Sequence, residues 1–445
     1  MIGAGVDVFR LNMSHAAHEW VREIVPRVRS IARELERNVA LMLDTQGPAI
    51  RTGVLPNDLH LVVGDILEIT VRGARSTEPN SITVNYDDLI DDVAVGNVIL
   101  LDNGLLQVRV LDKKDDRIRT SVLTEGKLGS RRHINLPGVD VNLPALTKKD
   151  LADVALGIEL GVDFVALSFA RRKEDLVQLR KLLRKGGGAA AVVAKIESQS
   201  AVRAIDEMIG ATDVLLIARG DLGIECPMEE LPIIQRRIVK RCLRIGKPVI
   251  VATQMLESMI KNPVPTRAEV TDIANAVFEQ ADAIMLTGET TSGRYPVECV
   301  KVLDRVALRI EQSGGAGYGK DAILEDARQK MVAAAVSLAD SLQRAKLVVF
   351  TRHGTMTRYV SNLRPAYAPI FAFTPNEHVY RQLAVCWGVF AAQLQFTDDP
   401  NATIDAAEAH LREKKLISPN DQLIIVSDLQ AGEQLVDCVQ LRCVR

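Results

Sequence analysis

A chain of 445 residues is long enough for about three domains with separate cores, which excludes a tail or a small stapled module. Its 55 Lys and Arg against 57 Asp and Glu leave a net charge of −2, so nothing draws it generally to nucleic acid or an anionic membrane, and an anionic ligand needs a local site. Hydrophobic residues at 47% and charged residues at 25% exclude a disordered chain, and aromatics at 4% leave the cores aliphatic.

Short β-branched runs alternate with stretches of helical period, the pattern of βα units around a parallel sheet. Strands are expected at Val6–Leu11, Val39–Leu43, Phe164–Leu167, Val192–Ile196, Val214–Ala218, Val249–Ala252 and Ala283–Leu286. Each ends in polar residues: Arg10 and Asn12, Asp44 and Thr45, Ser168, Lys195 and Glu197, Arg219 and Asp221, Thr253 and Gln254, Thr287 and Glu289. Functional groups at the carboxyl ends of successive parallel strands are the active-site device of a (β/α)8 barrel. Roughly 120 residues separate Asp44 from Phe164, too many for one crossover, and much of the interval reads as β (Leu59–Val71, Ser81–Tyr86, Val98–Leu101, Leu105–Leu111, Arg117–Leu123). A small β lid is expected at 52–137, inserted in a barrel formed by 1–51 and 138–316. The glycines of Ser313–Gly319 suit a linker, and strands at Leu347–Thr351, Pro369–Thr374, Val389–Leu394, Gln422–Ser427 and Val439–Val444 define an α/β domain over 322–445. No internal repeat stands out. The six cysteines show no C-x-x-C or zinc spacing and read as free thiols of a reducing cytosol. No apolar run approaches membrane-spanning length, so a cytoplasmic protein with neither membrane nor nucleic-acid partner is expected.

Ala194-Lys195-Ile196-Glu197 sets a cation and a carboxylate on one face of a strand end, and Arg219-Gly220-Asp221 sets a second carboxylate on the neighbouring strand. Two such carboxylates can hold Mg²⁺ at about 2.0–2.1 Å and leave positions for substrate oxygens and water; the alternative is a structural Lys195–Glu197 ion pair. A short helix starting at Asp221 would aim its N-terminal amides at a substrate carboxylate. Asn12, Ser14, Asp44 and the Thr45 carbonyl offer oxygens suited to K⁺, while Arg10 and Arg51 are planar forks for phosphate. His15 reads either as a ligand contact or as a loop residue. No P-loop is present.

Met1-Ile2, Ala4-Gly5-Val6, Arg10-Leu11-Asn12, Ser14-His15, Asp44–Gly53, Val193–Ser198, Ala218–Gly223, Ala252–Met259, Pro265–Val270 and Met285–Thr290 together resemble pyruvate kinase, in order and in spacing. The resemblance implies phosphoryl transfer from phosphoenolpyruvate to ADP, giving pyruvate and ATP, in a cytoplasmic homotetramer using Mg²⁺ and K⁺. Carried over by position, Glu197 and Asp221 hold Mg²⁺, and Lys195 neutralises the phosphoryl group and the enolate. Arg10 contacts phosphate or nearby carboxylates, while Gly220, Asp221 and Thr253 hold the substrate carboxylate. Arg51, Arg132 and His15 reach the nucleotide, and Asn12, Ser14, Asp44 and Thr45 hold K⁺. Thr351–Met356 would cradle a phosphorylated effector, or is an ordinary strand-to-helix turn. Gln46 stands where the family commonly has Lys, and Ala49 where it often has a Glu that accompanies K⁺ dependence. The family's first barrel strand has no counterpart before Met1, so a barrel lacking that strand is expected, with open edges at its first and last strands. Two other readings remain: a truncated, impaired homologue acting through regulatory or subunit contacts, for which the missing strand argues, and a Mg²⁺-dependent barrel lyase acting on pyruvate-like enolates, which the lid, Arg51 and the extra domain disfavour.

Overall fold

The computed structural model describes residues 1–431 and 434–445. Its centre is a curled seven-stranded parallel sheet, ordered Val8–Asn12, Ala40–Asp44, Phe164–Leu167, Ala191–Ile196, Val214–Ala218, Val249–Ala252, Ala283–Met285. Both faces of this sheet are covered, which is why its strands read as nearly continuous apolar runs. Leu41, Leu43, Val165 and Leu167 face the surrounding helices; Ala40, Met42, Phe164 and Ala166 face the interior. Among the described residues no ladder joins Ala283–Met285 to Val8–Asn12, so the barrel is open along that seam.

A repeat that the sequence pattern did not reveal lies at the floor of the sheet. An aspartate precedes every second strand: Asp7, Asp163, Asp213 and Asp282. The carboxylates of Asp163, Asp213 and Asp282 accept the backbone N–H of Leu41, Val192 and Val249 on the preceding strand, at 2.7, 2.8 and 2.9 Å. Each thereby satisfies a donor that the end of a parallel ladder leaves unpaired. Arginines face all four: Arg37 opposite Asp7, Arg29 and Arg381 on Asp163, Arg180 on Asp213 and Arg364 on Asp282.

Between the second and third barrel strands, a six-stranded sheet runs in the order Ile134–Asn135, Val98–Leu101, Leu106–Lys114, Arg117–Val122, Ile66–Thr70, Ser81–Thr83 around its own core. The long run read as Leu59–Val71 is broken by a turn into Leu59–Leu61 and Ile66–Thr70, and the first piece pairs with Gly126–Leu128. The chain enters this lid through Gly53, where a Cβ would stand 1.9 Å from the Thr83 hydroxyl, so a larger residue would require Thr83 to move. It returns along 138–143, where Arg171 of the barrel donates to the carbonyls of Val141 and Leu143.

The last part is a five-stranded sheet ordered Val389–Gln393, Ile370–Thr374, Ala345–Phe350, Gln422–Ala431, Gln434–Cys443, parallel except for its final strand. Those last two strands extend further toward each other than the sequence suggested. Helices lie on both faces, starting with Ala327–Ser341, whose Asp326 and Gln329 form a capping box. The helix Glu377–Gln382 and the turn after it press Val379, Leu383, Val385 and Cys386 into the interior core of the barrel, closing its floor. All six cysteines are free thiols, and no described helix is long and apolar enough to cross a membrane.

Candidate active site

A cleft of about 350 Å³ opens between the carboxyl ends of the barrel strands and the lid. The barrel supplies Arg10, Asn12, Ser14, Thr45, Ser168, Lys195, Glu197 and Asp221; the lid supplies Asp102, Arg131, Arg132 and His133; Arg51 stands at the junction. Backbone constraints hold the wall loops. Asp150, fully buried, caps its own helix through Thr147 and accepts the N–H groups of Gln46 and Gly47, which fixes the turn after Asp44. Thr253 lies at φ +73°, unusual for a β-branched residue. Buried Arg219 holds it there, donating to its carbonyl at 2.6 Å while paired with Asp272 at 2.6 Å. Arg219 is thus structural, and so is Glu289, whose carboxylate accepts the N–H groups of Leu256 and Thr287.

The floor of the cleft is a buried charge cluster. Lys195 Nζ lies 2.8 Å from Glu197 Oε1, 3.2 Å from Asp44 Oδ1 and 2.7 Å from Ser168 Oγ. Arg10 Nε donates to Asp44 Oδ2 at 2.5 Å, and the Phe169 N–H to Glu197 Oε2 at 2.6 Å. Burial alone favours the neutral forms of Lys195, Asp44 and Glu197. For Lys195 the two facing carboxylates outweigh burial and hold the ammonium above its ordinary pKa. For Asp44, Lys195 and Arg10 likewise outweigh burial and keep the carboxyl below its usual range. Glu197 differs. Burial raises it, Lys195 only partly offsets this, and the nearby negative charge of Asp221 raises it further.

Two carboxylates that push one of their own pKa values up form a site short of positive charge, and a divalent cation between them would relieve it. Each Glu197 oxygen receives one protein donor and keeps a lone pair free. Among the described residues no three His, Cys, Asp or Glu side chains converge, so a cation on this pair would leave most of its coordination to water and substrate. Glu197 and Asp221 therefore fit Mg²⁺, which takes few protein ligands. Three of the four residues expected to hold K⁺ offer oxygens that already accept protein donors, Asp44 from Arg10, Lys195 and Ser168, the Thr45 carbonyl from Ser168 at 2.7 Å, and Asn12 Oδ1 from the Ser14 N–H at 3.2 Å, while Ser14 itself lines the cleft. Ala49 lines the cleft without adding an oxygen ligand from its side chain.

The other expected residues are distributed unevenly. Gly220 donates its N–H to Thr253 Oγ1 at 2.8 Å, so these two form one edge of the site, beside Asp221. The helix they introduce starts at Arg219 rather than Asp221. A Cβ at position 220 would meet Thr253 Oγ1 only at 3.5 Å, so packing alone does not demand glycine there. Arg51 donates to the Arg131 carbonyl at 3.1 Å and Arg132 faces Asp102 at 3.5 Å, both exposed at the cleft rim. His15 is exposed on the loop after the first strand and does not line the cleft. Sequence reading gave no role to Ser168, Phe169, Arg131 or His133. Phe169, at φ +53°, stacks on His133 of the lid with ring centroids 6.1 Å apart, a contact between segments far apart in the chain.

A buried lysine and two carboxylates at the mouth of a parallel barrel, roofed by an arginine-bearing lid, are the arrangement a phosphotransferase needs, where positioning and charge neutralisation count for more than covalent chemistry. The chain belongs to the pyruvate kinase family. The family model for the pyruvate kinase barrel domain matches residues 1–300, and that for the pyruvate kinase alpha/beta domain matches 329–440. A pyruvate kinase of Geobacillus stearothermophilus is 41% identical over 444 residues, covering 97% of this chain and 75% of that relative. Plastidial pyruvate kinase 2 of Arabidopsis thaliana is 39% identical over 435 residues, covering 97% and 74%. The crystal structure of a Cryptosporidium parvum pyruvate kinase superposes with a TM-score of 0.94 at 32% identity, covering all of this chain and 92% of that one.

Proposed function

We propose that this cleft is where the chain moves the phosphoryl group of phosphoenolpyruvate to ADP, yielding pyruvate and ATP. The observation that carries the reading is the Lys195 ammonium, buried yet kept charged between Asp44 and Glu197 on the floor of an arginine-lined cleft. Substrate phosphate enters between Arg10 and Lys195, and its carboxylate lies along Gly220, Asp221 and Thr253. Glu197 and Asp221 hold Mg²⁺, which when bound neutralises charge on the phosphoryl group and the enolate oxygen. Arg51 and Arg132 meet the nucleotide phosphates from the rim; His15, exposed outside the cleft, reaches them only by movement of its loop. Lys195 opposes the charge that passes from the phosphoryl group to the enolate, and lid closure over the cleft excludes water that would otherwise take the phosphoryl group. Thr253 lies on the edge from which the enolate carbon is protonated.

K⁺ is assigned to Asn12, Ser14, Asp44 and Thr45. Because Arg10 and Lys195 already lie against Asp44, the effect of K⁺ on turnover should be modest. We assign the barrel to 1–51 and 138–316, the lid to 52–137 and a regulatory unit to 322–445. There Gly354 at φ +79° and the helix Thr355–Asn362 shape the loop that would take a phosphorylated effector. A homotetramer in the cytoplasm is part of the reading, and exposed Met228, Ile233 and Val264 are the kind of surface subunit contacts cover.

The test is pyruvate formation from phosphoenolpyruvate, ADP and Mg²⁺, with K⁺ or with tetramethylammonium in its place. Wild-type chain should turn over in both, and Lys195→Met should lower kcat by at least about a thousandfold while keeping its circular dichroism. Near-normal turnover by Lys195→Met would remove Lys195 from the chemistry. Silence in tetramethylammonium would show K⁺ to be essential rather than modest.

A further inference from the structure

The Lys195 ammonium has three partners within reach: it donates to Ser168 Oγ at 2.7 Å and lies in ion-pair contact with Glu197 at 2.8 Å and Asp44 at 3.2 Å. To meet a phosphoryl oxygen, Lys195 must release one. Releasing a carboxylate would separate buried opposite charges, which is costly; releasing a neutral hydroxyl costs only one hydrogen bond. Ser168 is that neutral partner. It is 2% exposed, lines the cleft, and its own N–H is fixed at 3.1 Å by Thr45 Oγ1. Its hydroxyl hydrogen has two acceptors in reach, the Thr45 carbonyl at 2.7 Å and Asp44 Oδ1 at 3.1 Å. The hydroxyl therefore stays satisfied whether or not Lys195 donates to it.

We propose that Ser168 is a positioning residue for the phosphoryl transfer assigned above: it holds an N–H of Lys195 toward the cleft and yields it to the incoming phosphoryl group, while its own hydrogen bond shields Asp44. Without the hydroxyl, Asp44 Oδ1 loses a donor and draws the ammonium deeper, away from the cleft. The charge would remain and its aim would be lost. Because substrate is gripped in the ground state mainly by Arg10 and the Gly220–Thr253 edge, the loss falls on kcat rather than on KM.

The proposal rests on Lys195 acting as assigned, so the experiment runs Ser168→Ala, Ser168→Thr and Lys195→Met side by side with wild type, in pyruvate formation and in thermal unfolding. Ser168→Ala should lose about ten- to a hundredfold in kcat with KM for phosphoenolpyruvate within about threefold. Ser168→Thr, which restores the hydroxyl, should recover to within about threefold of wild type. A Ser168→Ala enzyme within twofold of wild type in kcat, or a Thr variant no better than Ala at an equal melting temperature, would overturn the proposal. If Lys195→Met itself turns over normally, the assignment of Lys195 fails and the role of Ser168 falls with it. Should Ser168→Ala fold poorly, the wild-type-like activity expected of Ser168→Thr still decides, since a Thr enzyme impaired in kcat while normally stable counts against the hydroxyl.

Discussion

Glu225 ends the short helix that begins at Arg219, and its side chain lines a smaller cavity of about 70 Å³ behind the active cleft, with Asn135 and His133 of the lid. Burial pushes its carboxyl up, the hydrogen bond from Asn135 partly offsets this, and Asp221 adds to the rise, to about 7. A carboxyl whose pKa is higher folded than unfolded binds its extra proton only in the native state between those two values. The stability it contributes is therefore present at low pH and is lost as pH rises through about 5 to 7. Glu225→Gln keeps a neutral, hydrogen-bonding group at every pH. Its thermal midpoint should match wild type near pH 5 and exceed it near pH 8, by about 1–3 kcal/mol in stability; parallel midpoint curves from pH 5 to 8 would sink the idea. Nothing in Gly-Ile-Glu-Cys announces this group, because its environment comes from the lid, nearly a hundred residues earlier. Lys195, Glu197 and Asp221 were legible because their i, i+2 spacing and strand-end position are local facts. Ser168 was visible as a strand end but not as a partner of Lys195, since only the barrel curvature brings the two hydroxyl and ammonium groups to 2.7 Å.

At the scale of elements, the aspartates at the floor decide how the strands begin. Asp163 is completely buried and serves the Leu41 N–H, Arg29 and Arg381, whereas Asp213 is 37% exposed and faces Arg180. Removing a buried partner leaves charges uncompensated; removing a half-exposed one lets water take its place. Asp163→Ala should therefore cost about 3–5 kcal/mol in urea unfolding and Asp213→Ala about 1 kcal/mol or less. Equal losses would contradict this account of the floor. The seven barrel strands were placed within two residues by their apolar runs, with Phe164–Leu167, Val214–Ala218 and Val249–Ala252 where expected, whereas in the lid and the last two strands Val98–Leu101 also fell where expected but several other ends moved by three to five residues. The aspartate repeat escaped notice because a single residue at irregular intervals is not a periodic signal; it becomes one only when the strands are laid side by side.

The molecule as a whole is tied together beneath the barrel. Leu383, Val385 and Cys386 share a core with Met42, Phe164 and Leu216, while Arg364 and Asp282, 3% and 4% exposed, pair at 3.0 Å across the same seam. Parts that share a core unfold together. Calorimetry should show the barrel and the C-terminal unit melting in one transition, and Leu383→Ala, leaving a cavity in the shared core, should lower it by about 2–5 kcal/mol without splitting it. A Leu383→Ala protein in which the C-terminal unit melts alone, with the barrel transition unmoved, would show the seam to be a mere contact.

By itself, the sequence determined the parallel α/β architecture, the inserted β lid, the strand-end carboxylates and the family to which the chain belongs. These follow from periodicity, from local spacing and from motifs that lie within a few residues of one another. Tertiary structure alone decided how the buried charges are shared: that Asp44 answers to Arg10 and Lys195, that Glu197 rises against Asp221, that Ser168 accepts a hydrogen bond from Lys195, and that the C-terminal unit closes the barrel floor. Each of these depends on distances between residues tens to hundreds apart in the chain. Electrostatic and hydrogen-bond energies are set by those distances and by burial, neither of which a local pattern encodes.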